Sequence, residues 1–209
     1  QYFHFNYIPE PNSVFKNVYK LSAGHFMEVT FAGVKTTCYC ELNAEPSGGR
    51  LDYSVAQNRL IELLVASVRD RLIADVPLGA FLSGGVDSSV VVALAGRYTN
   101  KLKTFSIGYA DNPFFDETRY AESVARKFNT DHTVFRLSIP DIESEVENML
   151  DSLSEPFADS STIPLYILAK QTRKHVTVAL SGDGGDELFA GYNKHKAEYS
   201  VRQHRQFSP

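Results

Sequence analysis

The chain has 209 residues, 43% hydrophobic and 22% charged, with 21 basic against 25 acidic side chains and a formal net charge of -4. These values fit a globular protein with its own core and exclude disordered and fibrous classes. They offer no global attraction to nucleic acid or an anionic membrane surface, so an anionic ligand has to be held locally. No apolar run approaches the roughly 20 residues that cross a bilayer, and the first residues lack the pattern of a signal peptide. A cytoplasmic setting is therefore the expectation.

Residues 1 to about 45 combine Val14, Tyr19, Phe26, Val29 and Phe31 with the turn formers Pro9, Pro11, Gly24 and Gly33, a pattern of short antiparallel strands. Cys38 and Cys40, separated by one residue, suit neither a mutual disulfide nor a zinc site, and are read as neighbouring strand positions on opposite faces. Residues 43–49, containing Pro46-Ser47-Gly48-Gly49, break the strand pattern and place a domain boundary between 48 and 49. From Ser54 the period becomes helical: Leu60, Ile61, Leu64, Val65, Val68 and Leu72 recur three and four apart. Ser54 and Gln57 have capping-box spacing, and Arg69 and Arg71 fall in the last turns, where the helix dipole favours cations.

Strand-like and helical segments then alternate. Strands are expected over 78–82, 103–109, 133–139 and 176–180, and helices over 88–96, 116–128, 141–153 and about 162–174. Ala121, Val124, Ala125 and Phe128 form one helical face; Ile142, Val146, Met149 and Leu153 form another. This alternation predicts an α/β fold, a mostly parallel sheet with helices on both faces. The polar, basic end at Pro209 and the structured-looking start at Gln1 read as a piece of a longer protein.

Two loops sit where strands give way to helices, where backbone N–H groups and helix dipoles converge on ligands. The first is Ser83-Gly84-Gly85-Val86-Asp87-Ser88-Ser89. Gly84 and Gly85 permit positive φ and close backbone approach, so successive N–H groups can face phosphate oxygens. Ser83, Ser88 and Ser89 add hydroxyl donors, and Asp87 is a carboxylate suited to a divalent cation on those phosphates. No lysine stands in the run, which excludes a Walker A loop. The second loop is Ser181-Gly182-Asp183-Gly184-Gly185-Asp186-Glu187. Its crowded acids repel one another unless a cation or proton sits among them. Singly, the loops also fit a capped glycine turn and a solvated acidic turn; together they point to a metal-assisted nucleotide site.

These residues resemble the glutamine-hydrolysing asparagine synthetase family, in which a Ser-Gly-Gly-x-Asp-Ser-Ser loop binds ATP. Ala74-Asp75-Val76-Pro77-Leu78-Gly79 and Phe189-Ala190-Gly191-Tyr192 extend the match over nearly the whole chain. The resemblance implies an ATP-pyrophosphatase domain, adenine nucleotide alpha hydrolase-like, over residues 49–209. It also implies that Leu82, Ser83 and Gly84 contact ATP, that Ile107 lies by the adenine through its backbone, and that Ser181 and Gly182 close the nucleotide site. Asp87 and Asp186 are implied to hold Mg²⁺ on the pyrophosphate, and Tyr192 to line the site. Asp183 stands where many members carry Glu, an acid tied to forming the aspartyl-adenylate or deprotonating ammonia.

Residues 1–48 resemble the tail of the family's glutaminase domain through Tyr7-Ile8-Pro9-Glu10-Pro11 and Leu21-Ser22-Ala23-Gly24-His25, the usual form being Pro-Gly-His. His25 is thus expected to be structural. The family's N-terminal cysteine nucleophile and a phosphate-contacting lysine from a later helical region lie outside this stretch, so by itself it is expected to turn over poorly. The implied reaction is amidation of a carboxylate, aspartate to asparagine through β-aspartyl-AMP, with ammonia supplied from glutamine by the protein's own glutaminase domain. No nucleic-acid or membrane partner is implied, and a homodimer is left open. β-Lactam synthetase-like and sugar- or peptide-amidating enzymes remain as alternatives, as does a non-catalytic nucleotide-binding relative, against which the clustered acids argue.

Overall fold

The computed structural model describes residues 1–41 and 51–205; the boundary expected at 48 and 49 lies outside them. Along the chain run α1 (Tyr2–Phe5), β1 (His25–Thr30), β2 (Gly33–Cys38), α2 (Tyr53–Arg71), β3 (Leu78–Phe81), α3 (Val86–Ala95), β4 (Lys103–Tyr109) and α4 (Thr118–Lys127). There follow β5 (Asp131–Leu137), α5 (Ile139–Ser144), α6 (Val146–Ser152), α7 (Thr162–Thr172), β6 (Val178–Leu180), α8 (Gly185–Phe189) and α9 (Asn193–Arg205). Two units form, one of Gln1–Gln57 with Ser144–Ile163, the other of Asn58–Glu143 with Pro164–Pro209. Among the described residues no helix is long and apolar enough to cross a membrane.

In the first unit the strands expected over residues 1–45 reduce to one antiparallel hairpin, β1–β2, with His25 opposite Cys38 and Thr30 opposite Gly33. Val14 and Tyr19 lie outside strands. The stretch between α1 and β1 is instead tied by side chains: Lys20 bonds the Ile8 carbonyl and the Glu155 carboxylate, and Glu10 accepts from the Ala23 N–H. Prolines at 9 and 11, which cannot donate to a ladder, favour that irregular path. β2 ends at Cys38, so Cys40 is not a strand position. The opposite-face reading fails in any case, because residues two apart in a strand share a face. Both thiols are free and exposed.

The second unit carries a parallel sheet in the order β5-β4-β3-β6. The inner strands β3 and β4 are largely buried, as in a parallel sheet covered by helices, while the outer β5 and β6 are mostly half-buried. Ala80, Leu82, Val92, Ala95, Leu102 and Ala121 form a core that also includes Val68 of α2 and Ala125 of α4. On β4 the side chains alternate: Gly108 lies against Thr118 of α4, while Phe105 stacks on Phe135 and approaches His175, just beyond α7. The fold is thus α/β, as expected.

Local chemistry moved several boundaries. α2 starts at Tyr53 because Asp52, not Ser54, caps it, accepting from the Ser54 N–H at 2.9 Å. Leu60 and Ile61 stay exposed at the open end of its apolar stripe. The helix expected over 141–153 is two, α5 and α6, with Glu145 between them. Pro140 suits a first turn, and Asp141 accepts from the Ser138 N–H at 2.8 Å, so α5 begins early.

Strand order decides where a ligand can sit. From β3 the chain moves outward to β4 and β5, then returns to lay β6 on the other side of β3. The loops leaving β3 and β6 therefore lie side by side at a topological switch point, the crevice that open α/β sheets use for binding.

Candidate active site

The loop after β3 is built on its own hydroxyls. Ser83 Oγ and Ser88 Oγ are 2.9 Å apart, the Gly85 N–H donates to Ser83 Oγ at 3.2 Å, and Ser88 Oγ donates to the Gly85 carbonyl at 3.3 Å. Gly84, at φ +86°, turns the chain where a side chain would strike Tyr120 and Ala121 of α4. Asp87 lies in the first turn of α3, where the helix dipole favours a carboxylate.

The loop after β6 folds against it. A Cβ at Gly182 would stand 2.7 Å from the Ser88 nitrogen, and one at Gly185 would stand 2.6 Å from Asp87 Cγ. At Gly182 only glycine lets the two backbones approach so closely, and at Gly185 it makes room for the Asp87 carboxylate. Ser181 Oγ donates to Asp183 at 3.0 Å, and Tyr192 Oη donates to Glu187 at 2.7 Å. That bond pushes the Tyr192 phenol up to about 12 and, as the largest influence, holds the Glu187 carboxyl below its ordinary value. Lys194, stacked over the Tyr192 ring at 4.6 Å, adds to the lowering of Glu187.

Between the loops and the ends of β4 and α4 opens a cleft of about 840 Å³, a volume suited to a nucleotide-sized ligand. Of the residues singled out from sequence, Leu82, Ser83, Gly85, Asp87, Ser88, Ile107, Ser181, Gly182, Asp183, Asp186 and Tyr192 all line it. Gly84 and Ser89 do not; the Ser89 hydroxyl is buried with no partner among the described residues. The cleft also takes in Ser106, Tyr109, Phe115, Glu117, Thr118 and Glu187, together with Pro164, Leu165 and Leu168 of α7. Glu187 was legible as an acid of the second loop. Ser106 and Tyr109 lie on β4, and the others come from the connection into α4 and from α7, where only Asp116, accepting from the Thr118 N–H at 2.9 Å, carried a local signal.

The charge of this lining is one-sided. Asp87, Glu117, Asp183, Asp186 and Glu187 face the cleft, and none of the described lining residues is Lys or Arg. Among the described residues no group of three or more His, Cys, Asp or Glu is gathered as a metal cage. Carboxylates without a protein cage suit a cation that shares its coordination with a ligand's oxygens.

Fold and cleft define the class first: a parallel α/β domain with glycine-rich, acid-bearing loops at its switch point. The chain belongs to the Asparagine synthase family, whose pattern matches residues 59–208. It is 35% identical over 203 residues to "Asparagine synthetase [glutamine-hydrolyzing] 1" of Bacillus subtilis, covering 97% of this chain and 32% of that protein. It is 39% identical over 210 residues to "Putative asparagine synthetase [glutamine-hydrolyzing] 2" of Methanocaldococcus jannaschii, covering 96% and 39%. The chain thus spans between 32% and 39% of the length of these relatives. Among solved structures, NMN synthetase from Francisella tularensis overlaps 68% of this chain and 59% of its own at 17% identity and a TM-score of 0.44, a likeness too low to argue from.

Proposed function

We propose that this chain is the synthetase part of a glutamine-dependent asparagine synthetase, activating the side-chain carboxylate of aspartate with ATP so that ammonia can displace AMP. The observation that carries the reading is the contact between the two loops, where Gly182 and Gly185 admit Asp87 and bring hydroxyls, N–H groups and acids to one cleft. The Gly85 N–H and the Ser83 and Ser88 hydroxyls, which bond one another within the loop, would exchange those partners for phosphate oxygens, and the backbone of Ile107 at the end of β4 is suited to the base. A lining of five carboxylates would repel a polyphosphate unless cations accompany it. Asp87 and Asp186 are the residues that would hold Mg²⁺, with phosphate oxygens completing the shell. Bound there, Mg²⁺ neutralises charge on the departing pyrophosphate.

The aspartate carboxylate attacks the α-phosphorus, forming β-aspartyl-AMP as the bond to pyrophosphate breaks. Ammonia then attacks the acyl carbon, AMP leaves with the former carboxylate oxygen, and Asp183 takes the surplus proton from nitrogen. Asp183 is one methylene shorter than the glutamate common in the family, and Ser181 holds it at the loop's tip. Residues 1–48 belong with a glutaminase domain that supplies the ammonia in a cytoplasmic enzyme. Calorimetric titration of ATP into the full-length protein tests this reading. Binding is expected with Mg²⁺ and is lost without it; equal heats in both conditions would sink it.

A further inference from the structure

One polar cluster of the α/β unit takes no part in the chemistry above. Thr104 and Ser106, two apart on β4, share a face of the sheet, and His132 is the register partner of Thr104 on β5. The ring bridges them: Nδ1 is 2.9 Å from Thr104 Oγ1 and Nε2 is 3.2 Å from Ser106 Oγ, while Thr104 Oγ1 is 2.8 Å from Thr130 Oγ1. Thr104 is 0% and Ser106 4% exposed, positions an aliphatic side chain would fill without any polar group to satisfy. What distinguishes this network is where it ends. Ser106 also lines the cleft, as do Ser88 and Thr118.

A serine hydroxyl has one proton and two lone pairs, and when free it turns whichever a ligand needs. Tied to a ring nitrogen, it presents one. Burial, the largest influence, holds the His132 imidazole below its ordinary pKa, against the opposing pull of Glu122 on α4. The ring is therefore neutral at pH 7 and carries a single N–H. Nδ1 is the nitrogen on the Thr104 side and Nε2 the one on the Ser106 side. One nitrogen of the neutral ring donates and the other accepts, so the bond to Nε2 fixes which role Ser106 has left for the cleft.

We propose that His132 is a positioning residue for the nucleotide site: through Nε2 it fixes the turn of the Ser106 hydroxyl, so that Ser106 meets a polar group of the nucleoside in one preset sense. Ser106 adjoins Ile107 on β4, the residue assigned above to the base, so this wall serves the nucleoside end and not the phosphates. The inference rests on the ATP reading above.

The test is calorimetric titration of ATP with Mg²⁺ into the full-length protein and its H132N, H132Q, S106A and S106A/H132N variants, with pyrophosphate as a second probe. Gln places its amide near the Nε2 position and Asn near the Nδ1 position. H132Q is expected within about two-fold of the parent, and H132N and S106A about five-fold weaker for ATP, the worth of one hydrogen bond. The double variant should bind no more weakly than S106A alone, since His132 acts through Ser106. Pyrophosphate affinity should stay unchanged throughout, whereas a merely structural disturbance would weaken both probes. H132N binding ATP as the parent does, or costing a further five-fold in the S106A background, would overturn the proposal. Should H132N fail to fold, S106A binding ATP like the parent does the same. A parent that binds no ATP overturns the ATP reading and this inference together, while a binding parent with an indifferent Ser106 overturns this inference alone.

Discussion

The loops after β3 and β6 share a grammar of serine, glycine and acid at a strand-to-helix turn, yet they are supported very differently. The first leads into α3, ten residues with Ser88, Val92, Leu94 and Ala95 buried, and its hydroxyls bond one another. The second leads into α8, five residues with none buried, entered through Gly184 at φ 90° and left through Ala190 at φ 58°. The first loop is thus fixed by the fold, whereas the acid-bearing loop is held by its neighbours: the first loop at Gly182 and Gly185, and Tyr192 through Glu187. Where a site needs preorganised donors, core burial supplies the rigidity; where it needs acids that wait for a cation, a lightly supported loop suffices.

Removing the acid that joins the loops should have the largest effect. Asp87→Ala in the full-length enzyme is expected to cut pyrophosphate release at least about 100-fold, through loss of charge stabilisation at the leaving group. Release at the parent rate would remove Asp87 from the site. Asp183→Ala should lower amide formation by about 100-fold with an unchanged melting temperature, because among the described residues its side chain bonds only Ser181 of its own loop. A variant as active as its parent would take Asp183 out of the mechanism.

Gly182→Ala probes the contact itself. Its Cβ would stand 2.7 Å from the Ser88 nitrogen and 3.0 Å from Asp87 Cβ, mostly backbone that cannot yield, so the cost should be about 1–3 kcal/mol in denaturant unfolding. An unshifted midpoint would mean the loops do not meet as described.

The smallest effect is expected from Tyr192→Phe, since Tyr192 and Glu187 are both solvent-facing. The phenol raised from 10.0 to about 12 contributes stability that is full below pH 10.0 and lost as pH rises through about 12. The depressed Glu187 carboxyl contributes stability that is present above its unfolded value of 4.5 and lost as pH falls through the folded one. In Tyr192→Phe both contributions should flatten, and NMR titration should find Glu187 back near its ordinary range. An unmoved Glu187 titration would count against the tether.

Much of this was legible in the sequence because the signals were local. β4 fell on residues 103–109 as expected, and both loops stood at strand ends where turn glycines and serines announced them. What was not legible depended on contacts or on short range. Asp52 outcompeted Ser54 as a cap by reaching one hydrogen bond sooner. The apolar spacing of Ile142, Val146, Met149 and Leu153 runs on regardless of the break at Glu145, so periodicity could not reveal it. Glu117, Phe115 and Tyr109 join the cleft because the strand order brings the end of β4 beside β3, and nothing in their own spacing marks them. The close approach of Gly182 and Gly185 to Asp87 is likewise tertiary, visible only once two loops roughly 100 residues apart are set side by side at the switch point.

The most direct measurement is of the products formed when the full-length protein is given ATP, Mg²⁺ and ammonia across a panel of amino-acid carboxylates. The expected result is pyrophosphate, AMP and asparagine when aspartate is supplied, and none of the three without Mg²⁺. ADP and phosphate in their place, or pyrophosphate released with no dependence on any carboxylate, would contradict the assignment of the paired loops to carboxylate adenylation.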